Sequence, residues 1–225
     1  MEQYKQEFIE FMVDCQAFEV WRVYLKEWQK VSFLHERRCV CHRFSADEAG
    51  RELCESNSRS YGDDFDVLFG PAYKGIPISV VTAVAYSKLY GKEIRYCSDR
   101  KEEKDHGADK GSFLGSSLKD GDRVIMIEDV TTSGKSMEET VPKVRGAANV
   151  EIVGLMVSLN RMEKGLGGKV SALEEIKEKY GFDAHAIVTM QDVIDHLYNK
   201  TYKGQVYIDD TLKKAIDEYY AVYGA

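Results

Sequence analysis

The stretch from Val124 to Ser136, V-I-M-I-E-D-V-T-T-S-G-K-S, restricts what this chain can fold into more than any other segment. Val124 to Ile127 and Val130 are apolar and largely β-branched, which suits a strand covered on both faces of a parallel sheet. The run ends in two adjacent carboxylates, Glu128 and Asp129, followed by small hydroxyl-bearing residues and a glycine before a helical pattern begins. A buried strand with acids at its carboxyl end, and a loop rich in backbone N–H groups after it, is how α/β sheets hold a sugar phosphate. The loop donates to phosphate oxygens, while the acids address ribose hydroxyls or a magnesium shell.

Gly134-Lys135-Ser136 has the look of the end of a triphosphate-binding loop, but that motif needs a glycine where Asp129 stands. An acid there would repel a triphosphate, which argues against a nucleotide triphosphatase. The plainer alternative is an ordinary strand–turn–helix with polar turn residues.

At 225 residues, 44% hydrophobic and 31% charged, the chain fits one soluble globular domain spanning 1–225. A net charge of −7 and a pI near 5.4 argue against a nucleic-acid partner, which requires a basic face. No apolar run approaches the roughly 20 residues that cross a membrane, and Met1 to Val13 is too charged for a signal peptide. Five cysteines without framework spacing fit a reducing, cytoplasmic setting.

Tyr4, Phe8, Ile9, Phe11 and Met12 recur at helical spacing. Strands are expected at Phe65 to Phe69, Ile94 to Cys97, Ile152 to Leu159 and Ala186 to Met190. Helices are expected at Ile78 to Tyr90 before Gly91, from Ser136 to Ala147, and from Ser171 to Tyr180 before Gly181, with two more closing the chain. Asp99 to Ser117 reads as a long polar loop without structure of its own, the length of a mobile lid. Alternating strands and helices imply a mostly parallel α/β sheet with ligands at the strands' carboxyl ends.

Three segments occur in matching order and spacing: F-D-V-L-F-G-P-A-Y-K-G from Phe65 to Gly75, R-K-E-E-K-D-H-G from Arg100 to Gly107, and the acidic loop. Together they resemble the orotate phosphoribosyltransferases, over residues 1–17 and 61–225. The resemblance implies a type I phosphoribosyltransferase fold with a catalytic lid at 99–117. It implies transfer of phosphoribosyl from 5-phosphoribosyl 1-diphosphate to orotate, in a homodimer whose lid reaches the neighbouring site. In that family Tyr73, Lys74, Arg100, Lys101, Lys104 and His106 would contact phosphoribosyl diphosphate, as would Val130 to Ser136, namely Val130, Thr131, Thr132, Ser133, Gly134, Lys135 and Ser136. Lys104, Glu128 and Asp129 are the catalytic candidates, and Thr132 and Arg161 those for orotate. Many relatives carry two aspartates where Glu128-Asp129 stands. Magnesium, Mg2+, would ride on the substrate's diphosphate and hydroxyls rather than in a protein cage.

Residues 18–60 break the resemblance. The family expects a glycine-rich hairpin there, with a phosphate-binding lysine and an aromatic pair flanking orotate; the chain has both tryptophans and two of its histidines instead. Tryptophan has the single codon TGG, and reading one base later always gives glycine. Trp21 and Trp28 thereby fall on the two hairpin glycines, and with suitable codons the stretch can be decoded as L-K-F-G-E-F-T-L-K-N-G-R-K-S-P-F-F-M-N-A-G. Two compensating slips near residues 18 and 60 would account for the segment. On that reading Cys39, Cys41 and His42 are accidental neighbours rather than zinc ligands, Lys26 matches the phosphate lysine only loosely, and Leu34 and His35 replace the aromatic pair. A non-catalytic phosphoribosyl-diphosphate-binding regulator, an enzyme disabled by this segment, and a purine-base transferase are the rival readings. The cationic lid and Arg161 weigh against the last.

Overall fold

The computed structural model describes residues 1–15, 43–104, 111–131 and 134–225. A six-stranded sheet runs in the order β3-β2-β1-β4-β5-β6. Its strands are β1 (Val67–Phe69), β2 (Arg95–Lys104), β3 (Gly111–Gly115), β4 (Arg123–Thr131), β5 (Glu151–Asn160) and β6 (Asp183–Thr189). All neighbours pair in parallel except β3, which returns antiparallel along β2. Helices α1 (Gln3–Asp14), α2 (Arg43–Tyr61), α3 (Gly75–Tyr90), α4 (Lys135–Ala147), α5 (Ala172–Tyr180), α6 (Met190–Leu197) and α7 (Asp210–Tyr223) complete the described elements, with a small β7 (Thr201–Tyr202) and β8 (Gln205–Val206) hairpin.

Strand β4 is central because both faces are covered. Ile125 and Ile127 join one core cluster with Phe8, Leu68 and Tyr86, while Val124 and Met126 join the other with Met137, Val141 and Leu155. Each such side chain contributes roughly 1.5–3 kcal/mol of burial. The helices end as their sequences require: Gly91 and Gly181 cap α3 and α5 in the left-handed conformation.

Three expectations need correcting. The 99–117 segment is not without structure: β2 continues to Lys104 and pairs with β3 through Asp99↔Phe113 and Lys104↔Gly111, forming an antiparallel arm. The strand expected at Ala186 to Met190 starts earlier, at Asp183, and gives up Met190 to α6. There Thr189 and Asp192 form a reciprocal capping box that starts the helix. Helix α3 starts at Gly75 rather than Ile78, since Pro77 sits in the first turn, where its missing N–H has no helical partner to lose.

Candidate active site

Strand β4 carries Glu128 and Asp129 to the carboxyl edge of the sheet, both nine-tenths buried. Ser136 Oγ, in the first turn of α4, donates to Glu128 Oε2 at 2.8 Å. Burial pushes the Glu128 carboxyl up to about 8; the Ser136 hydroxyl, Lys101 and Lys74 oppose the rise and the Asp129 charge adds to it. Asp129 Oδ2 accepts a hydrogen bond from Lys74 Nζ at 2.9 Å. Lys74 arrives on the turn between β1 and α3, where Gly70 and Gly75 pass so closely that a Cβ on Gly70 would lie 2.0 Å from the Gly75 carbonyl oxygen. The same turn holds a cis Ala72–Tyr73 peptide and presents Tyr73 to solvent, 68% exposed.

The loop after β4 reaches Gly134, whose left-handed backbone starts α4 with no side-chain cap among the described residues on the helix's first N–H groups. Thr131 Oγ1 is buried there with no hydrogen-bond partner among the described residues. Val130 is half-buried and Lys135 exposed. On the arm, Arg100 Nε donates to the Phe113 carbonyl at 3.3 Å, and Lys101 Nζ lies 3.3 Å from Glu139 on α4. Lys101 is thus close enough to be felt by Glu128. Arg161, at the end of β5, is buried, ion-paired with Glu163 and 3.2 Å from the Tyr219 hydroxyl. Lys26, His106, Thr132 and Ser133 lie outside the described residues, as do Cys39, Cys41, His42 and the side chain of Lys104. A cavity of about 350 Å³ is lined by Gly134, Glu138, Glu175, Glu178, Lys179 and Tyr180.

Two buried acids, a lysine on a tight Gly-Pro turn and an open helix start therefore converge at one edge of the sheet, with a basic arm beside them. A phosphoribosyl transferase domain model matches residues 45–177. An orotate phosphoribosyltransferase from Agathobacter rectalis is 65% identical over 224 residues, covering 100% of this chain and 99% of its own. The chain belongs to the orotate phosphoribosyltransferase family. A second member, from Bifidobacterium adolescentis, is 35% identical over 97% of this chain and 96% of its own. The crystal structure of the Francisella tularensis orotate phosphoribosyltransferase superposes with a TM-score of 0.66 at 25% identity, covering 83% of both chains. The fold is also that of a Mycobacterium tuberculosis orotate phosphoribosyltransferase solved with 5-phospho-α-D-ribosyl 1-diphosphate, at TM-score 0.60 and 20% identity over 86% of this chain and 93% of that one.

Within this family fold, the described residues bring together Lys74, Lys101, Glu128, Asp129, Gly134 and Ser136. Arg161 is turned to α7 and Glu163 instead. Sequence reasoning passed over Asp99, which touches both the Tyr73 turn and α4. Its one signal was its place directly before Arg100.

Proposed function

We infer that this chain transfers phosphoribosyl from 5-phosphoribosyl 1-diphosphate to orotate, giving orotidine 5′-phosphate and diphosphate, a reaction of pyrimidine synthesis. The observation that carries this reading is the pair Glu128 and Asp129 at the end of β4, with Lys74 on Asp129 and Lys101 nearby.

Breaking the anomeric bond builds oxocarbenium character on the sugar and negative charge on the departing diphosphate. Asp129 and Glu128 hold the ribose hydroxyls, Asp129 exchanging its lysine for them. Main-chain N–H groups from Thr131 to Ser136 take the 5-phosphate at the start of α4. Tyr73, Lys74, Arg100, Lys101, Lys104 and His106 face the diphosphate, where positive charge in a water-poor site counts most. Magnesium, when bound, neutralises the diphosphate; two adjacent hard-oxygen carboxylates suit such an ion held mainly by substrate and water. Thr132 and Arg161 receive orotate, a planar fork of donors suiting its carboxylate.

We further assign a homodimer in the cytoplasm. Helix α3, apolar through most of its length, leaves Val84, Leu89 and Tyr90 nearly half exposed, which supports a subunit partner. The scattered, odd set of cysteines supports the compartment. Among the described residues no helix is long and apolar enough to cross a membrane.

Loss of orotate absorbance on mixing the chain with phosphoribosyl diphosphate and magnesium tests the assignment. Turnover of a purine base in place of orotate would overturn it. Segment 18–60 favours one second reading: saturable binding of phosphoribosyl diphosphate without turnover would mark a regulator or a disabled enzyme.

A further inference from the structure

The buried Asp99 joins three pieces of the site. It stands on β2 directly before Arg100 and is 1% exposed. Its Oδ1 accepts the Ala72 N–H at 2.7 Å, and its Oδ2 accepts Lys143 Nζ at 2.7 Å. Ala72 belongs to the turn that presents Tyr73 and Lys74, and Lys143 belongs to α4, whose start receives the 5-phosphate. A carboxylate this deep is costly unless both oxygens are satisfied by good donors. Here each oxygen fixes a different donor, so one rigid group sets the spacing between the diphosphate turn, the root of the arm and the phosphate helix.

We propose that Asp99 is a positioning residue for phosphoribosyl diphosphate, holding the Tyr73-Lys74 turn against α4 with Lys143 as its counter-charge. The proposal rests on the transferase reading above. Asp99→Asn keeps an oxygen for the Ala72 N–H but drops the charge that Lys143 meets, and Lys143→Met removes the other half of the contact. Both variants and the parent are titrated calorimetrically with phosphoribosyl diphosphate and magnesium, well below their unfolding temperatures. Each single variant raises the Kd about tenfold, and the double variant is no worse than Asp99→Asn, since both act through one contact. Lys5→Met, which breaks the 3.1 Å pair with Asp192 elsewhere, leaves the Kd unchanged. A folded Asp99→Asn that binds like the parent, or losses that add in the double variant, would overturn the proposal. A parent that gives no binding heat would overturn the transferase reading itself.

Helix α2 carries a separate observation. It packs against α3, β5 and β6 and buries Glu52, Ser56 and Asn57 at 1%, 4% and 0% exposure. Four of their atoms, Glu52 Oε2, Ser56 Oγ and both polar atoms of the Asn57 amide, have no hydrogen-bond partner among the described residues. Each such group costs about 1–3 kcal/mol. Tyr61, at the end of the same helix, is fully provided for, donating to the Leu155 carbonyl at 2.6 Å and lying 3.1 Å from that of Asp183.

Reading one base later leaves little choice at two of the three misfit positions, 52 and 57, and at neighbouring 54, while Ser56 followed by Asn57 is open to Ala, Val, Leu, Pro, Gln or Arg. Glu52 followed by Leu53 becomes Asn or Ser whatever the codons. Cys54 followed by Glu55 becomes Ala or Val, and Asn57 followed by Ser58 becomes Ile or Thr. The charge leaves position 52, and the amide at 57 gives way to a branched side chain. Trp21 and Trp28 become glycine under the same shift. We infer that residues 18–60 are the product of a displaced reading frame closed by two compensating slips, and that α2 in the proper frame carries no charge at buried position 52 and a branched side chain at 57. Resequencing the gene from its source across both boundaries decides this. One base gained and one lost, near the codons for 18 and 60, is the expected result; an uninterrupted frame encoding these residues would overturn it.

Discussion

Glu128→Gln isolates the one carboxyl of the site whose burial dominates its chemistry. In the folded protein Glu128 gains its proton at about 8, against 4.5 for an ordinary glutamate, because burial disfavours the charged form. The unfolded chain releases that proton above about 4.5 while the folded chain keeps it. The contribution to stability is thus fully present below 4.5, falls as pH rises, and is gone above 8. At about 1.4 kcal/mol for each pH unit, the interval amounts to at most about 5 kcal/mol. Glutamine has nearly the same shape, still accepts from Ser136 Oγ, and does not titrate. Urea unfolding of parent and variant at a series of pH values from 5 to 9 reads the difference directly, since titrating groups that do not interact with Glu128 cancel. The variant should match the parent near pH 5 and gain on it steadily up to pH 8. A difference that stays flat from pH 5 to 8 would refute the buried, neutral carboxyl.

The same carboxyl should announce ligand binding. At pH 7 Glu128 is neutral in the free protein, and hydroxyls with a cation beside it favour the anion, so binding of magnesium phosphoribosyl diphosphate releases up to about one proton. Calorimetry in buffers of different ionisation enthalpy measures that release, and no dependence on buffer would contradict it. Gly70→Ala puts a methyl 2.0 Å from the Gly75 carbonyl oxygen; it should cost about 1–3 kcal/mol in unfolding experiments and weaken phosphoribosyl diphosphate binding through the displaced Lys74. Lys104→Ala should lower turnover far more than it raises the Kd for phosphoribosyl diphosphate, and equal losses would make it only a binding residue.

What the sequence declared, and what it kept back, follows from the range of the interactions. Val124 to Ile127 is a short apolar run before two acids, and the buried β4 with Glu128 and Asp129 at its tip is what such a run builds. Gly91 and Gly181 mark helix ends because only the left-handed cap at those positions closes the last turn. The arm was hidden because R-K-E-E-K has no apolar pattern to mark a strand; its pairing with Phe113 and Gly111 is a tertiary matter. The β7–β8 hairpin, two residues a side, is too short to leave a period. Asp99 was unreadable for a related reason, as its donors lie 27 and 44 residues away in the chain. Arg161 was legible as a residue type, but nothing near it foretold the pairing with Glu163 and the contact with Tyr219 on α7.

The most direct test of an acid-tipped strand that grips the sugar is one titration of the parent and Asp129→Asn with phosphoribosyl diphosphate and magnesium. The parent should saturate at one site per chain, and the variant, with unchanged far-ultraviolet circular dichroism, should bind at least about tenfold more weakly, as expected for losing charge-assisted hydrogen bonds. Equal affinities for the two folded proteins would contradict the account at its base.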